Sequence, residues 1–482
     1  MNWKVISRNI GYALLVSALF MLLSVFVSIG NGNDSALAAL SISFLITFIV
    51  GIFPFIFVRR TSVISLKEGY VIITLSWLLS FVFGMLPYAL WGGPFTLQNA
   101  WFESVSGFTT CGATILDNVE ALPKSLLFWR ASTHFIGGLG VVVFLLLIIP
   151  ESSPMRMRLT NMELTELSRA GYSTRPNKIV YVFAYVYLAL FAAATICYLL
   201  AGMSLFDAVC HAMSVVSTGG FSTRGRSIAA FDSRAVEAVT MLFMYLASIH
   251  FGIIYISFVT RSLKPLRNPV IKFYTISIMV TALILSVGLH KSAGGWGSAL
   301  WQSLFSTLCI SSTTGFAIVD NASWPMWMLV LMMLTGVMCG SAGSTAGGIK
   351  VDRVLLLFKS LGRYVNNILH PSSVNEVRMG RKVLGDSEVS PHLLYICVYA
   401  LLALVSVFLC LCVGVDMENS FVSTVMSLSN VGPGCGVAGS MGSFNSVPLL
   451  GKFIFSLDMF LGRVEVYPVL AVVAMVFDRR KG

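Results

Sequence analysis

The sequence predicts an all-α integral membrane protein, with a leading two-helix hairpin followed by four helix/loop/helix repeats around one axis. Of the 482 residues, 56% are apolar and only 11% are charged, whereas soluble domains average about 25% charged residues. The charges lie between long apolar runs, and a similar glycine-bearing turn recurs in four of the connections. These observations exclude a soluble globular domain, a coiled coil and a disordered chain.

Ten charge-poor runs are long enough to cross a bilayer, which takes a helix of about 20 residues. They cover residues 10–30, 36–58, 70–91, 126–149, 179–202, 236–260, 272–289, 326–358, 392–414 and 447–476. The first two runs are joined without a glycine-bearing turn, so residues 1–60 are assigned to a leading hairpin with a structural or assembly role.

The charge distribution predicts how the chain lies across the membrane. The net charge is +11, from 32 Lys and Arg against 21 Asp and Glu. With the N-terminus inside, the inner connections hold most of these cations, as the positive-inside rule requires. This predicts a multi-pass protein surrounded by membrane lipids, with both termini cytoplasmic. Because the cations lie in short connections beside apolar runs, no nucleic-acid partner is expected.

Four outward connections share a pattern: a short amphipathic stretch and then a polar turn with glycine. They span residues 102–115, 206–223, 301–318 and 419–437. The alignment is made on Gly112, Gly219, Gly315 and Gly432. Two positions earlier stands a small polar residue: Thr110, Ser217, Thr313 and Asn430. The recurrence predicts internal repeats of about one hundred residues.

The turns are interpreted as re-entrant loops, in which a half-helix enters the membrane and the chain returns in extended form. Backbone at that depth is permitted only where it is buried or lines water. Glycine relaxes the φ/ψ restriction, so successive carbonyl groups can point at one axis and form a ring of oxygens for dehydrated monovalent cations. The negative C-terminal ends of the half-helices would also favour cations. The alternative is four ordinary extracellular turns.

The motifs T-T-C-G-A-T, S-T-G-G-F-S-T, T-T-G-F-A and N-V-G-P-G resemble the four selectivity-filter strands of the Trk/Ktr/HKT potassium-transporter superfamily, most closely its bacterial TrkH/TrkG branch. The resemblance implies one central pore built from helix/pore-loop/helix repeats at residues 61–160, 161–262, 263–385 and 386–482, the third with a broken second helix. It also implies that potassium is coordinated by the carbonyl groups of Thr110, Cys111, Gly112, Ser217, Thr218, Gly219, Thr313, Thr314, Gly315, Asn430, Val431 and Gly432.

The first turn departs from the pattern, because Cys111 stands where the family leads us to expect a third threonine. A coordinating carbonyl group survives that change. The glycine is present in all four turns, which in this superfamily favours potassium over the sodium-preferring members that have serine in the first loop.

The eighth apolar run is broken by residues 338–350, M-C-G-S-A-G-S-T-A-G-G-I-K. Such a stretch of small residues leaves backbone groups to be satisfied, so we expect it to line a water-filled cavity below the filter. Close helix packing through small residues is the alternative. The family resemblance implies an intramembrane loop that acts as a gate, formed here by Gly340, Gly343, Ser344, Thr345, Gly347 and Gly348.

Arg463 lies well inside the last apolar run, and a charge there is expensive and indicates a function. Its spacing to Glu465 places the two side chains on different helix faces. We therefore expect Arg463 to face the cavity, where its charge repels a cation in the closed pathway. The resemblance agrees, placing an arginine against the intramembrane loop. A snorkelling or purely structural arginine is the alternative.

Other polar residues in apolar surroundings have two interpretations. Acidic residues near the starts of the half-helices either attract cations or stabilise helix N-termini; they are Glu103, Asp207 and Glu418. Three histidines lack the spacing of metal ligands and are expected to be packed and neutral; they are His134, His211 and His250.

Together these features predict a gated, channel-like potassium uptake subunit of the bacterial cytoplasmic membrane, with K⁺ carried and bound in the filter and no organic cofactor. Ion-coupled secondary transport of K⁺ with H⁺ or Na⁺ is the alternative, and it requires inverted repeats with broken helices. An enzyme is not expected, since clustered acids or histidines at the membrane face are missing from the sequence. The resemblance further implies a homodimer and a cytosolic nucleotide-binding regulatory ring of the TrkA type.

Overall fold

Long apolar helices dominate the computed structural model, which describes residues 1–58, 65–148, 176–322, 324–373, 375–380, 382–432 and 439–478. Within these ranges, six helices are long and apolar enough to cross a membrane, and one bent helix pair would make a seventh span. The remaining predicted runs form a further long helix and pairs of shorter ones. The predicted boundaries at residues 60/61 and 160/161 lie outside the described residues.

The leading hairpin consists of α1 (Trp3–Gly30) and α2 (Leu37–Phe57). The two helices approach closely where a Cβ atom on Gly11 would overlap the carbonyl oxygen of Gly51, as small residues allow in membrane helices. In the connection, the Asp34 carboxylate accepts hydrogen bonds from Ser28 Oγ at 2.6 Å and from the Ala36 N–H at 3.3 Å.

The next two stretches each contain a short helix between longer ones. The first comprises α3 (Leu66–Gly84), α4 (Leu86–Trp91), α5 (Leu97–Phe108) and α6 (Lys124–Ile148). Ser65 and Glu68 form a capping box that fixes the start of α3. The second comprises α7 (Pro176–Leu200), α8 (Leu205–Val216), α9 (Arg234–Ser248) and α10 (Phe251–Val259). Three 3₁₀ turns accompany them, at Val119–Ala121, Ser227–Phe231 and Lys264–Arg267.

The same alternation continues to the end of the described chain. The third stretch comprises α11 (Pro269–Leu289), α12 (Trp296–Ser311), α13 (Met326–Met338) and α14 (Val351–Leu369). A small antiparallel hairpin follows, with β1 (Val377–Met379) paired to β2 (Lys382–Leu384). The fourth stretch comprises α15 (Asp386–Cys412), α16 (Met417–Ser429), α17 (Leu449–Val464) and α18 (Val466–Asp478).

Two runs expected to be continuous helices are broken, in addition to the eighth run, whose break was predicted. Between α9 and α10 the axis bends by 100°, and between α17 and α18 Glu465 has a φ of +60°. The freed backbone at the first break is satisfied from the segment between α13 and α14. The Ser341 N–H donates to Ser248 O at 2.9 Å, and the Phe251 N–H donates to Gly343 O at 3.0 Å.

Candidate functional site

The short helices α5, α8, α12 and α16 all end in a turn with the same two hydrogen bonds. In the first turn, the Thr110 N–H donates to Gly107 O at 3.1 Å and the Cys111 N–H donates to Ser106 O at 3.0 Å. The other three turns repeat both bonds, starting at Thr218, Thr313 and Asn430. One backbone conformation therefore ends all four helices.

Left-handed φ angles recur at matching positions in these turns. The first residue of each has a φ between +55° and +59°: Thr110, Thr218, Thr313 and Asn430. Two positions later the φ lies between +78° and +93°: Gly112, Gly220, Gly315 and Gly432. Glycine adopts this region without the strain that a side chain brings.

The predicted alignment is wrong by one residue in the second turn, because the equivalent glycine is Gly220 and not Gly219. Ser217 is the last helical-type residue, with a φ of −80°, and its carbonyl oxygen accepts a hydrogen bond from Thr218 Oγ1 at 2.6 Å. The stretch that matches residues 110–112 is therefore 218–220. Gly219 must be small for a different reason, since a Cβ atom there would overlap the His134 ring.

The four turns pack on one another around a common axis. A Cβ atom on Gly112 would overlap Gly219 O, and one on Gly220 would overlap Thr314 O. At the other end of the chain, a Cβ atom on Gly432 would overlap Cys111 O. The first turn thus contacts the second, the second contacts the third, and the fourth returns to the first. All four glycines line one cavity.

The middle carbonyl groups of the turns are buried without protein donors. Within the described ranges, no residue donates a hydrogen bond to the carbonyl oxygens of Cys111, Gly219, Thr314 or Val431. Buried carbonyl groups require a partner such as a donor, water or a cation. The same ranges hold no group of three His, Cys, Asp or Glu side chains that could bind a metal ion. The backbone is therefore the candidate ligand of this site.

The segment between α13 and α14 lies directly against these turns. The Gly347 N–H donates to Thr313 Oγ1 at 2.9 Å, and Thr345 Oγ1 donates to Val216 O, the last residue of α8, at 3.0 Å. A Cβ atom on Gly347 would overlap Ser429 O at the end of α16. The loop therefore contacts the second, third and fourth turns.

The remaining predicted gate residues all lie in the same loop. Gly343 and Gly348 have φ angles of +80° and +64°, and Ser344 Oγ donates to Ser341 O at 2.7 Å. Gly340 packs against the backbone of Ser248, beside the break between α9 and α10.

Arg463 extends from α17 to this loop. Its guanidinium donates to Thr345 O at 2.7 Å and to Gly137 O of α6 at 2.9 Å. One partly buried cation thus joins two carbonyl groups on separate elements. Glu465 instead pairs with Arg353 of α14, at 2.9 Å.

Sequence reasoning missed two residues that support the loop. The Asp352 carboxylate accepts a hydrogen bond from the Ala342 N–H, and both Asp352 and Arg353 are buried. The Arg353 guanidinium also lies 4.0 Å from the centroid of the Tyr395 ring. The available signal was two adjacent charged residues immediately after the break in the eighth apolar run.

The acidic residues near the outer side have different surroundings. Glu103 is fully buried and pairs with Arg130 at 2.8 Å. Asp207 lies at the start of α8, where Ser204 Oγ donates to it at 2.9 Å and Arg224 approaches to 3.3 Å. Glu418 is in the first turn of α16 and is exposed.

Fold and site together define an all-α integral membrane protein whose four matching turns converge on one axis above a broken helix. The sequence model of the TrkH family, described as a cation transport protein, matches residues 38–480. The chain belongs to this family. The membership confirms the resemblance stated from the turn motifs, and the long apolar helices confirm the predicted all-α integral membrane class.

Relatives of known name match over almost their full lengths. The Trk system potassium uptake proteins TrkH and TrkG of Escherichia coli (strain K12) are 30% and 31% identical over 486 and 487 residues. The alignments cover 99% of this chain and 100% and 99% of the two relatives. The crystal structure of the potassium transporter TrkH from Vibrio parahaemolyticus superposes with a TM-score of 0.87 at 28% identity, covering 98% of both chains.

Proposed function

We propose that this chain is the membrane subunit of a Trk-type potassium uptake system in the bacterial cytoplasmic membrane. Its relatives carry that name, and the match extends over 99% of the chain. Potassium is carried through a gated, channel-like pore along the axis between the four turns. The function is transport, and K⁺ is the cargo.

The observation that carries the proposal is the set of carbonyl oxygens in buried residues that have no protein donor within the described part of the chain. The four turns share one conformation, the first contacts the second and the fourth, and the second contacts the third, so these oxygens are proposed to face a common axis. A ring of carbonyl groups replaces the hydration shell of a potassium ion. The proposed ligands are the carbonyl groups of Thr110, Cys111, Gly112, Thr218, Gly219, Gly220, Thr313, Thr314, Gly315, Asn430, Val431 and Gly432.

The gate is proposed to be the loop between α13 and α14, held by Arg463. The loop contacts three of the four turns, and Arg463 joins Thr345 O to Gly137 O. A positive charge beside the axis opposes the passage of a cation. Opening requires that the loop move and that Arg463 release at least one carbonyl group.

The remaining proposals concern organisation and partners. We assign residues 1–60 to the hairpin and 61–160, 161–262, 263–385 and 386–482 to the four pore repeats, with both termini cytoplasmic and a homodimer in the membrane. A TrkA-type nucleotide-binding ring is the proposed cytosolic regulator. In support, α14 begins directly after the gate loop and leads to the hairpin β1–β2. A partner bound at this hairpin would therefore act on the gate through one helix.

The test is cation flux into proteoliposomes that contain the purified chain, measured for K⁺, Rb⁺ and Na⁺. Gly112→Ser is the test variant, since it adds a side chain against Gly219 O at a left-handed φ. Gly414→Ser is the matched control, because Gly414 has a φ of +90° with no atom within 4 Å of an added Cβ. We expect K⁺ and Rb⁺ flux above Na⁺ flux in the parent and control, and loss of that preference in Gly112→Ser.

Equal flux of the three ions in the parent would contradict the carbonyl-ring site. If no flux is seen, the same assay with a TrkA-type ring added decides between a closed gate and a wrong assignment. Ion-coupled transport is distinguished in this assay by imposing H⁺ or Na⁺ gradients without a K⁺ gradient. Driven K⁺ accumulation would favour coupling over a passive pore.

A further inference from the structure

Behind the second turn, the Phe221 ring packs against two side chains of α6, Arg130 and His134. Phe221 follows Gly220 and is buried. The His134 ring stacks on it with centroids 4.0 Å apart and an interplanar angle of 21°. The Arg130 guanidinium lies 4.0 Å from the same ring centroid. Because Arg130 and His134 are four residues apart on one helix, they project from the same face.

His134 also connects two turns by hydrogen bonds. Its Nδ1 lies 2.7 Å from Gly107 O in the last turn of α5, and the Phe221 N–H donates to its Nε2 at 3.1 Å. This pattern assigns the ring proton to Nδ1, since Nε2 must accept. The same ring lies where a side chain on Gly219 would be. The imidazole therefore sets the position of the backbone on both sides of Gly220.

Arg130 joins the strands that leave the first and second turns. Its guanidinium pairs with Glu103 of α5 at 2.8 Å and donates to Thr114 Oγ1 at 3.2 Å and to Ser222 O at 3.3 Å. Thr114 and Ser222 each stand two positions after the glycine of their turn. Glu103 in turn accepts a hydrogen bond from the Ile115 N–H at 3.1 Å. One buried ion pair thus holds two returning strands together.

A related contact supports the third turn. Phe316 follows Gly315 as Phe221 follows Gly220, and the His211 ring stacks on it at 5.8 Å and 29°. His211 Nε2 also lies 2.9 Å from Ser222 Oγ. An imidazole from one repeat thus stacks on the phenylalanine of the next turn in both places, which indicates a recurring way of supporting these strands.

We propose that Arg130 and His134 are positioning residues for ion selectivity, which hold the Gly219 carbonyl group at the distance that suits potassium although neither side chain reaches the ion. The inference rests on the proposed function. Selecting K⁺ over Na⁺ requires that the carbonyl ring not contract around the smaller ion. A close-packed stack of ring, guanidinium and imidazole behind the strand resists that inward movement.

The test compares the ratio of K⁺ to Na⁺ flux in proteoliposomes for the full chain and three variants. Arg130→Lys keeps a charge for Glu103 but loses the planar stack and the fork of donors. Phe221→Leu removes the ring and leaves the ion pair. Ser125→Ala is the control, because Ser125 lies on the same helix and bonds to Asp34 of the hairpin. We expect the ratio to fall about tenfold in the first two variants, because Arg130→Lys loses hydrogen bonds and Phe221→Leu loses the stacked ring, and to stay at the parental value in the control.

A purely structural role would lower the amount of folded protein and leave the ratio of the surviving fraction unchanged. Parental ratios in both Arg130→Lys and Phe221→Leu, with a lowered ratio in Gly112→Ser, would overturn this inference and leave the proposed filter standing. A parental ratio in Gly112→Ser as well would contradict both this inference and the proposed filter. Should Arg130→Lys not fold, Phe221→Leu alone decides, since it removes no buried charge.

Discussion

At the scale of single residues, Arg463 shows how a partly buried cation is accommodated by backbone oxygens. It donates to Thr345 O in the gate loop and to Gly137 O on α6. We expect Arg463→Ala to raise basal K⁺ flux several-fold, because both the positive charge and the two bonds that hold the loop are lost. Flux into proteoliposomes without a cytosolic partner measures this.

The control for this variant is Arg234→Ala, which removes an arginine whose side chain is 60% exposed. Surface pairs of that kind contribute at most about 1 kcal/mol, so its flux should equal that of the parent. Parental flux in a normally assembled Arg463→Ala protein would exclude the arginine from the gate.

Single residues also show where sequence reasoning stops. Four glycines at comparable positions were sufficient to predict that four turns share one role. In the second turn two glycines are adjacent, and the predicted alignment used the first of them. The phenylalanine that follows Gly220, as Phe316 follows Gly315, was the local signal for the second. The reason why Gly219 must also be small is not local, because the ring beside it belongs to His134, more than eighty residues away in the chain.

At the scale of elements, the loop between α13 and α14, which is the proposed gate, is held at two points by charged side chains. Arg463 holds Thr345, and Asp352 at the start of α14 accepts the Ala342 N–H. Asp352→Ala leaves this buried N–H without its partner, a loss of about 1–3 kcal/mol. We therefore expect a lower thermal midpoint in detergent together with higher basal K⁺ flux.

Asp386→Ala tests whether removing any acidic residue at a helix N-terminus raises basal K⁺ flux. Asp386 likewise lies at the start of a helix, α15, but its side chain is 77% exposed. Its variant should keep the parental flux. An unchanged flux in Asp352→Ala with a lowered midpoint would make Asp352 a stability residue without influence on the gate.

The two unexpected helix breaks have a physical reason that a single sequence does not contain. A break is tolerated in an apolar helix when another element satisfies the freed backbone groups. Around His250, the backbone groups of Ser248 and Phe251 bond to Ser341 and Gly343 of the loop between α13 and α14. At the second break, the contact with a distant element is made by the Glu465 carboxylate, which pairs with Arg353 of α14. The eighth run was predictable because its own glycines break it. The other two breaks depend on distant partners.

At the scale of the whole molecule, Asp34 joins the leading hairpin to the first repeat. Burial favours the neutral carboxyl group, but hydrogen bonds from Ser28, Ser125 and Ala36 outweigh it and lower the pKa of Asp34. A lowered pKa means that the carboxylate stabilises the fold at pH values above its ordinary pKa of about 4. That stabilisation is lost as the pH falls through the lower pKa of the folded state.

We therefore expect Asp34→Asn to lower the thermal midpoint by a few degrees at neutral pH, with a difference from the parent that shrinks as the pH falls below about 4. Thermal unfolding in detergent over a pH series measures this. A constant difference at every pH would assign the effect to packing. The K⁺ to Na⁺ flux ratio should not change, because Asp34 lies at the hairpin.

The fourfold organisation was more accessible from the sequence than the contacts that stabilise it. Run length and charge distribution predict where helices lie, because a bilayer imposes the same requirements on every span. The order in which the turns contact one another, and the role of α6 in supporting two of them, follow from packing between distant segments. Arg130 lies inside the fourth apolar run, where a charge indicates a function as it does for Arg463, but it was not singled out.

The contact between Gly432 and Cys111 has a consequence for synthesis of the protein. The ring of turns is closed by segments from the fourth and first repeats, so it cannot form while the ribosome is still making the middle of the chain. Until the fourth repeat is made, the first turn contacts only the second turn. A partly synthesised chain in the membrane therefore has no complete ring of the proposed carbonyl ligands. With the filter as proposed, completion of translation precedes completion of the ion pathway, and an unfinished chain would not select ions.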